Sequence, residues 1–320
     1  MNIALIGLGG MGTVHYTNYQ HIAGVRVAGT VGTTDRDHAR AAEWNVPIYD
    51  TLTALCEQME IDMVDICTPT YLHKPLALEA FGLGKHVLCE KPAALTAEDA
   101  RTMYAAADRA GRQLYVAQLL QFSREVETLR EVVATRRYGL PLDACFERLA
   151  ACPAWSQGNW LFDKSKSGLL PFDLHIHDLD VIVSLFGKPQ TVNYTSCGNA
   201  GKEYREQYRF QYGYRGLTVC AEAAWFNAAI PFTARWRMYF ERGMLICDGN
   251  GLVGYAADGE VTAFDVEDAV KIPTGINLPP TGWFLRELTH FTDCAKANVA
   301  SERVPRAQVL AVLEVLEQIG

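Results

Sequence analysis

The chain opens on a short apolar run, Asn2-Ile3-Ala4-Leu5-Ile6, and passes through Gly7-Leu8-Gly9-Gly10-Met11-Gly12 into a helix-forming segment. A G-x-G-x-x-G turn between a strand and a helix leaves few folds open. Its glycines permit a tight turn, let backbone N–H groups approach a diphosphate and bring the helix close to the strand, while the helix N-terminus favours an anion. Gly7, Gly9, Gly10, Met11 and Gly12 are thus the expected residues around the phosphates of a dinucleotide. Further apolar runs follow at 25–31, 63–67, 86–89 and 114–117. Helix-like segments lie between them at about 11–23, 36–45, 72–84 and 97–110. Uninterrupted apolar runs suit strands buried on both faces of a parallel sheet, and strand-helix-strand alternation implies right-handed βαβ units. The expectation is an α/β fold beginning with a doubly wound Rossmann domain over residues 1–122.

The end of the second strand bears on the choice of cofactor. NAD-binding domains usually carry an acid there for the ribose 2′-hydroxyl. Here the segment reads Val31-Gly32-Thr33-Thr34-Asp35-Arg36, with Gly32 aligned to the acid. The two hydroxyls of Thr33 and Thr34 and the cation of Arg36 suit a 2′-phosphate better, so NADP is favoured over NAD. Asp35 is the alternative acid if the strand runs further.

Beyond residue 122 the pattern changes. Residues 143–149, 191–196, 206–214, 217–226, 233–241 and 243–247 read as strands with partial alternation, and Tyr212-Gly213-Tyr214-Arg215-Gly216 as a hairpin turn. A helix from about Pro171 to Phe186 interrupts them, and helices near 282–297 and 305–318 close the chain. The expected second domain, 123–320, is therefore α+β with a large, mostly antiparallel open sheet, whose uncovered face must be buried or left wet.

Three further segments make the reading specific: Thr68-Pro69-Thr70-Tyr71-Leu72-His73, Gly84-Lys85-His86-Val87-Leu88-Cys89-Glu90-Lys91-Pro92 and Ser167-Gly168-Leu169-Leu170-Pro171-Phe172-Asp173-Leu174-His175-Ile176-His177-Asp178-Leu179-Asp180. With the glycine turn, they resemble the motifs of the Gfo/Idh/MocA oxidoreductases, closely over the first 120 residues and more loosely beyond. The resemblance implies hydride transfer between a nicotinamide and a hydroxyl or keto group of a sugar, cyclitol or related polyol. It puts Thr68, Pro69, Thr70, His73 and Glu90 on the cofactor side, Lys91 against both nicotinamide and reacting hydroxyl, and Asp173 and His177 at the substrate. It also implies a homodimer or homotetramer through the open face of the second sheet.

Residue chemistry agrees. A lysine at the carboxyl end of a strand faces the ligand crevice of an open α/β sheet and can stabilise developing negative charge. Asp173 and His177, four apart, share a helix face, and an imidazole can take a hydroxyl proton as hydride leaves. Trp155, Gln157, Asn159 and Trp160 compose a polar, aromatic loop suited to a sugar, with Trp155 and Trp160 the candidate contacts. Thr70, Leu169 and His175 depart from the family pattern, which ordinarily has Asn at the first position and Gly at the other two. His175 is expected to alter the floor of the substrate pocket.

Other chemistries fit less well. His175-Ile176-His177-Asp178 contains a His-x-His pair, but helical residues two apart diverge, so no metal site is expected. A net charge of −8 without a continuous basic patch argues against nucleic acid. No apolar stretch approaches the ~20 residues of a membrane helix, and no secretory leader is evident. Nine dispersed cysteines suit reduced thiols, hence a cytoplasmic protein. Two competing functions share the fold: redox-neutral glycoside cleavage by oxidation and elimination, and a non-catalytic dinucleotide sensor. The second has no need of Lys91, Asp173 and His177 together.

Overall fold

The computed structural model describes residues 1–276 and 279–319 and, at Gln157, the backbone alone. The chain divides into two compact units. The first combines Met1–Phe122 with Asp268–Leu310, and the second Ser123–Glu267 with the residues from Ala311 on.

In the first unit β1 (Asn2–Ile6), α1 (Gly10–Tyr19), β2 (Arg26–Val31), α2 (Asp35–Trp44), β3 (Ile48–Tyr49), α3 (Leu52–Gln58), β4 (Met63–Ile66), α4 (His73–Gly82), β5 (His86–Glu90), α5 (Ala97–Ala110) and β6 (Leu114–Ala117) alternate along the chain. The strands form one parallel sheet in the order β3-β2-β1-β4-β5-β6. Strand order reverses between β1 and β4, so their carboxyl ends open a crevice. Every residue of β4, β5 and β6 is buried, which explains their lack of alternation. Side-chain caps begin the helices: Thr34, Thr51 and Thr96 each accept a backbone N–H of the first turn. Sequence periodicity passes over β3 and α3, which are too short to show it.

The second unit starts with α6 (Arg124–Thr135), β7 (Pro141–Ala151), α7 (Lys164–Ser167) and α8 (Ile176–Phe186). It continues as β8 (Thr191–Cys197), β9 (Gln207–Tyr214), β10 (Leu217–Phe226), β11 (Thr233–Phe240), β12 (Gly243–Asp248), β13 (Gly251–Ala256) and β14 (Val261–Phe264). The eight strands run β14-β13-β12-β11-β7-β10-β9-β8, antiparallel except for the β7–β10 pair. Along β10, Leu217, Val219, Ala221 and Ala223 are buried, while Thr218, Cys220 and Glu222 between them are half-buried. One face of the sheet carries core and the other is open.

Two expectations need correction. The last two helices, α9 (Trp283–Ala297) and α10 (Arg306–Leu316), do not simply extend a domain running from 123. Helix α9 packs within the first unit, where Phe291 lies 5.3 Å from the ring of Tyr115 and 5.4 Å from that of Phe122. Each such aromatic pair adds about 0.5–1.5 kcal/mol beyond its buried area. The helix expected from Pro171 to Phe186 is also not uniform, since Pro171–His175 forms a π-helical turn ahead of α8.

Candidate active site

At the switch point each glycine has its own reason. Gly7 adopts φ +92°, and a Cβ there would stand 2.6 Å from the carbonyl carbon and oxygen of Cys67. A Cβ on Gly12 would stand 2.0 Å from the carbonyl oxygen of Gly7. These two close β1 onto β4 and α1 onto the turn. Gly9 is the N-cap of α1, with no side-chain cap and open space where its Cβ would be. The Thr68 hydroxyl at the end of β4 is buried without a hydrogen-bond partner among the described residues. These features fit the phosphates and ribose of a dinucleotide.

Thr68, Pro69, Glu90 and Lys91 stand at the carboxyl ends of β4 and β5. Residues 86–94 are buried with the single exception of Lys91. His73, expected beside the cofactor, is fully enclosed instead. Its Nδ1 lies 2.8 Å from the Pro92 carbonyl and its Nε2 2.8 Å from that of Thr68, so it latches the two motif loops together. Burial pushes the His73 pKa down against the opposing pull of those two carbonyls. Thr70 is likewise buried, in a short turn ahead of α4. Glu90 also points inward, to His15 at 3.1 Å and to the backbone N–H of Lys91, which donates to it at 3.0 Å. His73 and Glu90 thus serve the crevice by shaping its walls.

In the second unit two left-handed residues, Gly168 (φ +73°) and Leu169 (φ +65°), lead into the π-helical turn. A leucine in this conformation is strained by about 1–2 kcal/mol, which explains why glycine is ordinary at its position. Over residues 169–183 every side chain is buried except Asp173 and His177. The shared face expected from their spacing is the one this segment exposes. The start of α8 is anchored by Arg148 of β7, whose guanidinium donates from Nε (3.0 Å) and Nη2 (2.7 Å) to the two oxygens of buried Asp178. Sequence reading missed this anchor, although an arginine in an apolar strand is a signal in itself.

His175 does not reach a pocket floor. It is fully buried, stacked on Phe210 at 3.9 Å, with its Nε2 2.6 Å from the Tyr212 hydroxyl. Burial first and the Arg148 cation second push its pKa down to about 3. His175 and His177 thus occupy different surroundings, one in the core and one at the surface. Trp155 is mostly exposed and Trp160 half-buried, on the irregular turn Gln157–Phe162, where Gly158 and Asn159 both have positive φ. The side chain of Gln157 lies outside the described residues.

At the end of β2, Thr33, Thr34 and Arg36 are exposed. The position aligned with the missing acid is nevertheless occupied. A Cβ on Gly32 would meet the Asp37 Cβ at 2.5 Å and its Oδ2 at 2.9 Å. Asp37 is held there as the third residue of α2, accepting the Thr34 backbone N–H at 3.1 Å and the Thr34 hydroxyl at 2.7 Å. A carboxylate therefore stands over Gly32, supplied from five residues downstream.

The fold and this crevice are those of a Rossmann dinucleotide-binding domain, followed by a separate sheet domain. The chain belongs to the Gfo/Idh/MocA family: residues 1–118 match its NAD-binding Rossmann fold and residues 126–246 its C-terminal domain. Among curated relatives, 1,5-anhydro-D-fructose reductase of Ensifer adhaerens is 36% identical over 124 residues, covering 38% of this chain and 37% of that protein. D-glucoside 3-dehydrogenase of Escherichia coli is 30% identical over 163 residues, covering 50% and 46%. The matched segments thus span less than half of either relative. Among solved structures, levoglucosan dehydrogenase in complex with NADH and levoglucosan superposes with a TM-score of 0.85 over 100% of this chain and 96% of that one, at 19% identity. At that identity the likeness shows the fold.

Proposed function

We propose that this protein is an NAD(P)-dependent dehydrogenase or reductase acting on a secondary hydroxyl or keto group of a sugar, cyclitol or related polyol. Family membership and the named activities of the relatives support the substrate class. The observation that carries the reading is the exposure pattern: over residues 86–94 and 169–183, only Lys91, Asp173 and His177 are not buried.

Bound nicotinamide supplies the hydride acceptor or donor. The Lys91 ammonium holds the reacting oxygen and stabilises negative charge that develops on it. His177 takes the hydroxyl proton in oxidation and returns it in reduction, while Asp173 one turn earlier orients the ring or holds a neighbouring hydroxyl. For the cofactor we favour NAD over the NADP suggested by Thr33, Thr34 and Arg36, because Asp37 puts an anion where a 2′-phosphate would have to lie. Assembly through the open face of the eight-stranded sheet, and a cytoplasmic setting suited to nine dispersed thiols, complete the proposal.

The test is a panel of sugars, cyclitols and their keto forms with each cofactor, followed by the absorbance of reduced nicotinamide. Net turnover is expected with at least one polyol. Product formation without net cofactor change would instead point to redox-neutral cleavage, and cofactor binding without turnover to a sensor. With a substrate in hand, Lys91→Ala and His177→Ala should each lower kcat by about 10²–10⁴-fold. NADH binding, followed by fluorescence, should stay within a few-fold, since backbone groups of the glycine turn hold the diphosphate. Near-normal kcat in both folded variants would remove the roles assigned here.

A further inference from the structure

Beneath the crevice lies a chain of buried polar side chains for which the reaction has no direct use. Asp65, in the middle of β4, and His15, two turns into α1, are both fully buried. The His15 Nδ1 stands 2.8 Å from the Asp65 Oδ2, and its Nε2 stands 3.1 Å from the Glu90 Oε1. Tyr19 donates its hydroxyl to the same Asp65 oxygen at 2.9 Å. The Cys67 thiol adds a longer contact to Asp65 at 3.6 Å and lies 3.3 Å from the His15 Nδ1. The other oxygen of Glu90 accepts the backbone N–H of Lys91 at 3.0 Å.

Both ring nitrogens of His15 face carboxylates: Nδ1 is hydrogen-bonded to Asp65, while Nε2 meets Glu90 as a close ion-pair contact without hydrogen-bond alignment, and the ring suits both when it carries two protons. Burial opposes that charge, but Asp65 and then Cys67 outweigh it and raise the His15 pKa. Glu90 responds in kind: burial opposes its charge, while His15 and Lys91 hold its pKa below the usual value. A cation between two anions in the interior is costly unless every lone pair is used. Here Tyr19, Cys67 and the Lys91 N–H add donors to the two carboxylates. Such a network contributes little net stability over well-packed apolar groups, and what it gives is a fixed geometry.

We infer that His15 is a positioning residue: it bridges Asp65 and Glu90 and, through Glu90, fixes the backbone from which Lys91 reaches the reacting oxygen. The inference rests on the catalytic reading of Lys91 given above. A misplacement of about 1 Å can cost on the order of 10²-fold in rate, so a group that touches neither substrate nor cofactor can govern turnover.

Two amide substitutions separate the links. The amide of His15→Gln reaches toward the place of Nε2 and keeps a donor for Glu90, whereas that of His15→Asn mimics Nδ1 and keeps only the donor for Asp65. We expect His15→Gln to retain kcat within a few-fold and His15→Asn to lose roughly 10²-fold. The dissociation constant for NADH and the melting temperature should be alike in the two. In a Lys91→Ala background His15→Asn should cost nothing further, because its effect runs through Lys91. Equal losses in the Asn and Gln variants, or an additive loss on top of Lys91→Ala, overturn the inference while leaving Lys91 catalytic. Full activity of Lys91→Ala itself overturns the underlying reading. Should His15→Asn fail to fold, Glu90→Gln breaks the same link from the other end, and additivity with Lys91→Ala overturns the inference there too.

Discussion

Gly32 leaves a gap at the end of β2, and the Asp37 carboxylate fills it from the next helix. One of its oxygens is held by Thr34, which leaves the group fixed and able to accept a further donor. A ribose 2′-hydroxyl is such a donor, and a 2′-phosphate is a second anion in the same place. Asp37→Asn should therefore weaken NADH binding and relax discrimination against NADPH. A hydrogen bond to a charged group is worth about 1.5–3 kcal/mol, or roughly tenfold to a hundredfold in the ratio of the two dissociation constants. Isothermal titration of both cofactors gives that ratio directly. If Asp37→Asn leaves NADH untouched while Arg36→Ala weakens only NADPH, the 2′-phosphate reading of Arg36 holds and this one fails.

The π-helical turn Pro171–His175 aims Asp173 and His177 outward by burying what lies between them, and this makes the helix start sensitive to acid. His175 titrates near the ordinary imidazole range of about 6.5 when unfolded but at about 3 in its buried place. Its contribution to stability is thus present above the unfolded value and lost as the pH falls toward the folded one. The difference is up to about 2 kcal/mol between about pH 7 and pH 5. His175→Phe keeps the stacking on Phe210 but not the titration, so its urea midpoint should change less over that interval than that of the parent protein. Parallel slopes would show that His175 is not the responsible group. The turn also marks where sequence reading runs out. Strands β1, β2, β4, β5 and β6 announce themselves as apolar runs, and Lys91, Asp173 and His177 by their motifs. Leu169, His175, Asp37 and the Arg148–Asp178 pair have roles set by neighbours distant in sequence or by an unusual backbone angle, and no local pattern encodes those. Asp65 in the apolar run Met63-Val64-Asp65-Ile66 was the one visible sign of the network around His15.

The open face of the eight-stranded sheet carries cross-strand ion pairs, Arg237 with Asp143, Arg235 with Glu147 and Arg209 with Glu222, around half-buried Cys145 and Cys220. Exposed pairs of this kind are worth only about 0–1 kcal/mol each, so they do not account for so broad a face by its own stability. The proposed assembly would cover it with a second copy, and sedimentation velocity at micromolar concentration should then find a dimer or tetramer, with Arg237→Glu shifting it toward monomer. A monomeric parent protein would contradict the proposed assembly. The placement of α9 carries a different consequence. Its Phe284 lies 6.2 Å from the ring of His15 and its Phe291 against Tyr115 and Phe122, so the first unit is closed by a segment made only after the strands of the second sheet. During synthesis the Rossmann half leaves the ribosome long before its own covering helix. Until then those aromatic surfaces stay wet, and a nascent chain paused after the strands of the second sheet presents a sticky, half-roofed domain to whatever chaperone is at hand.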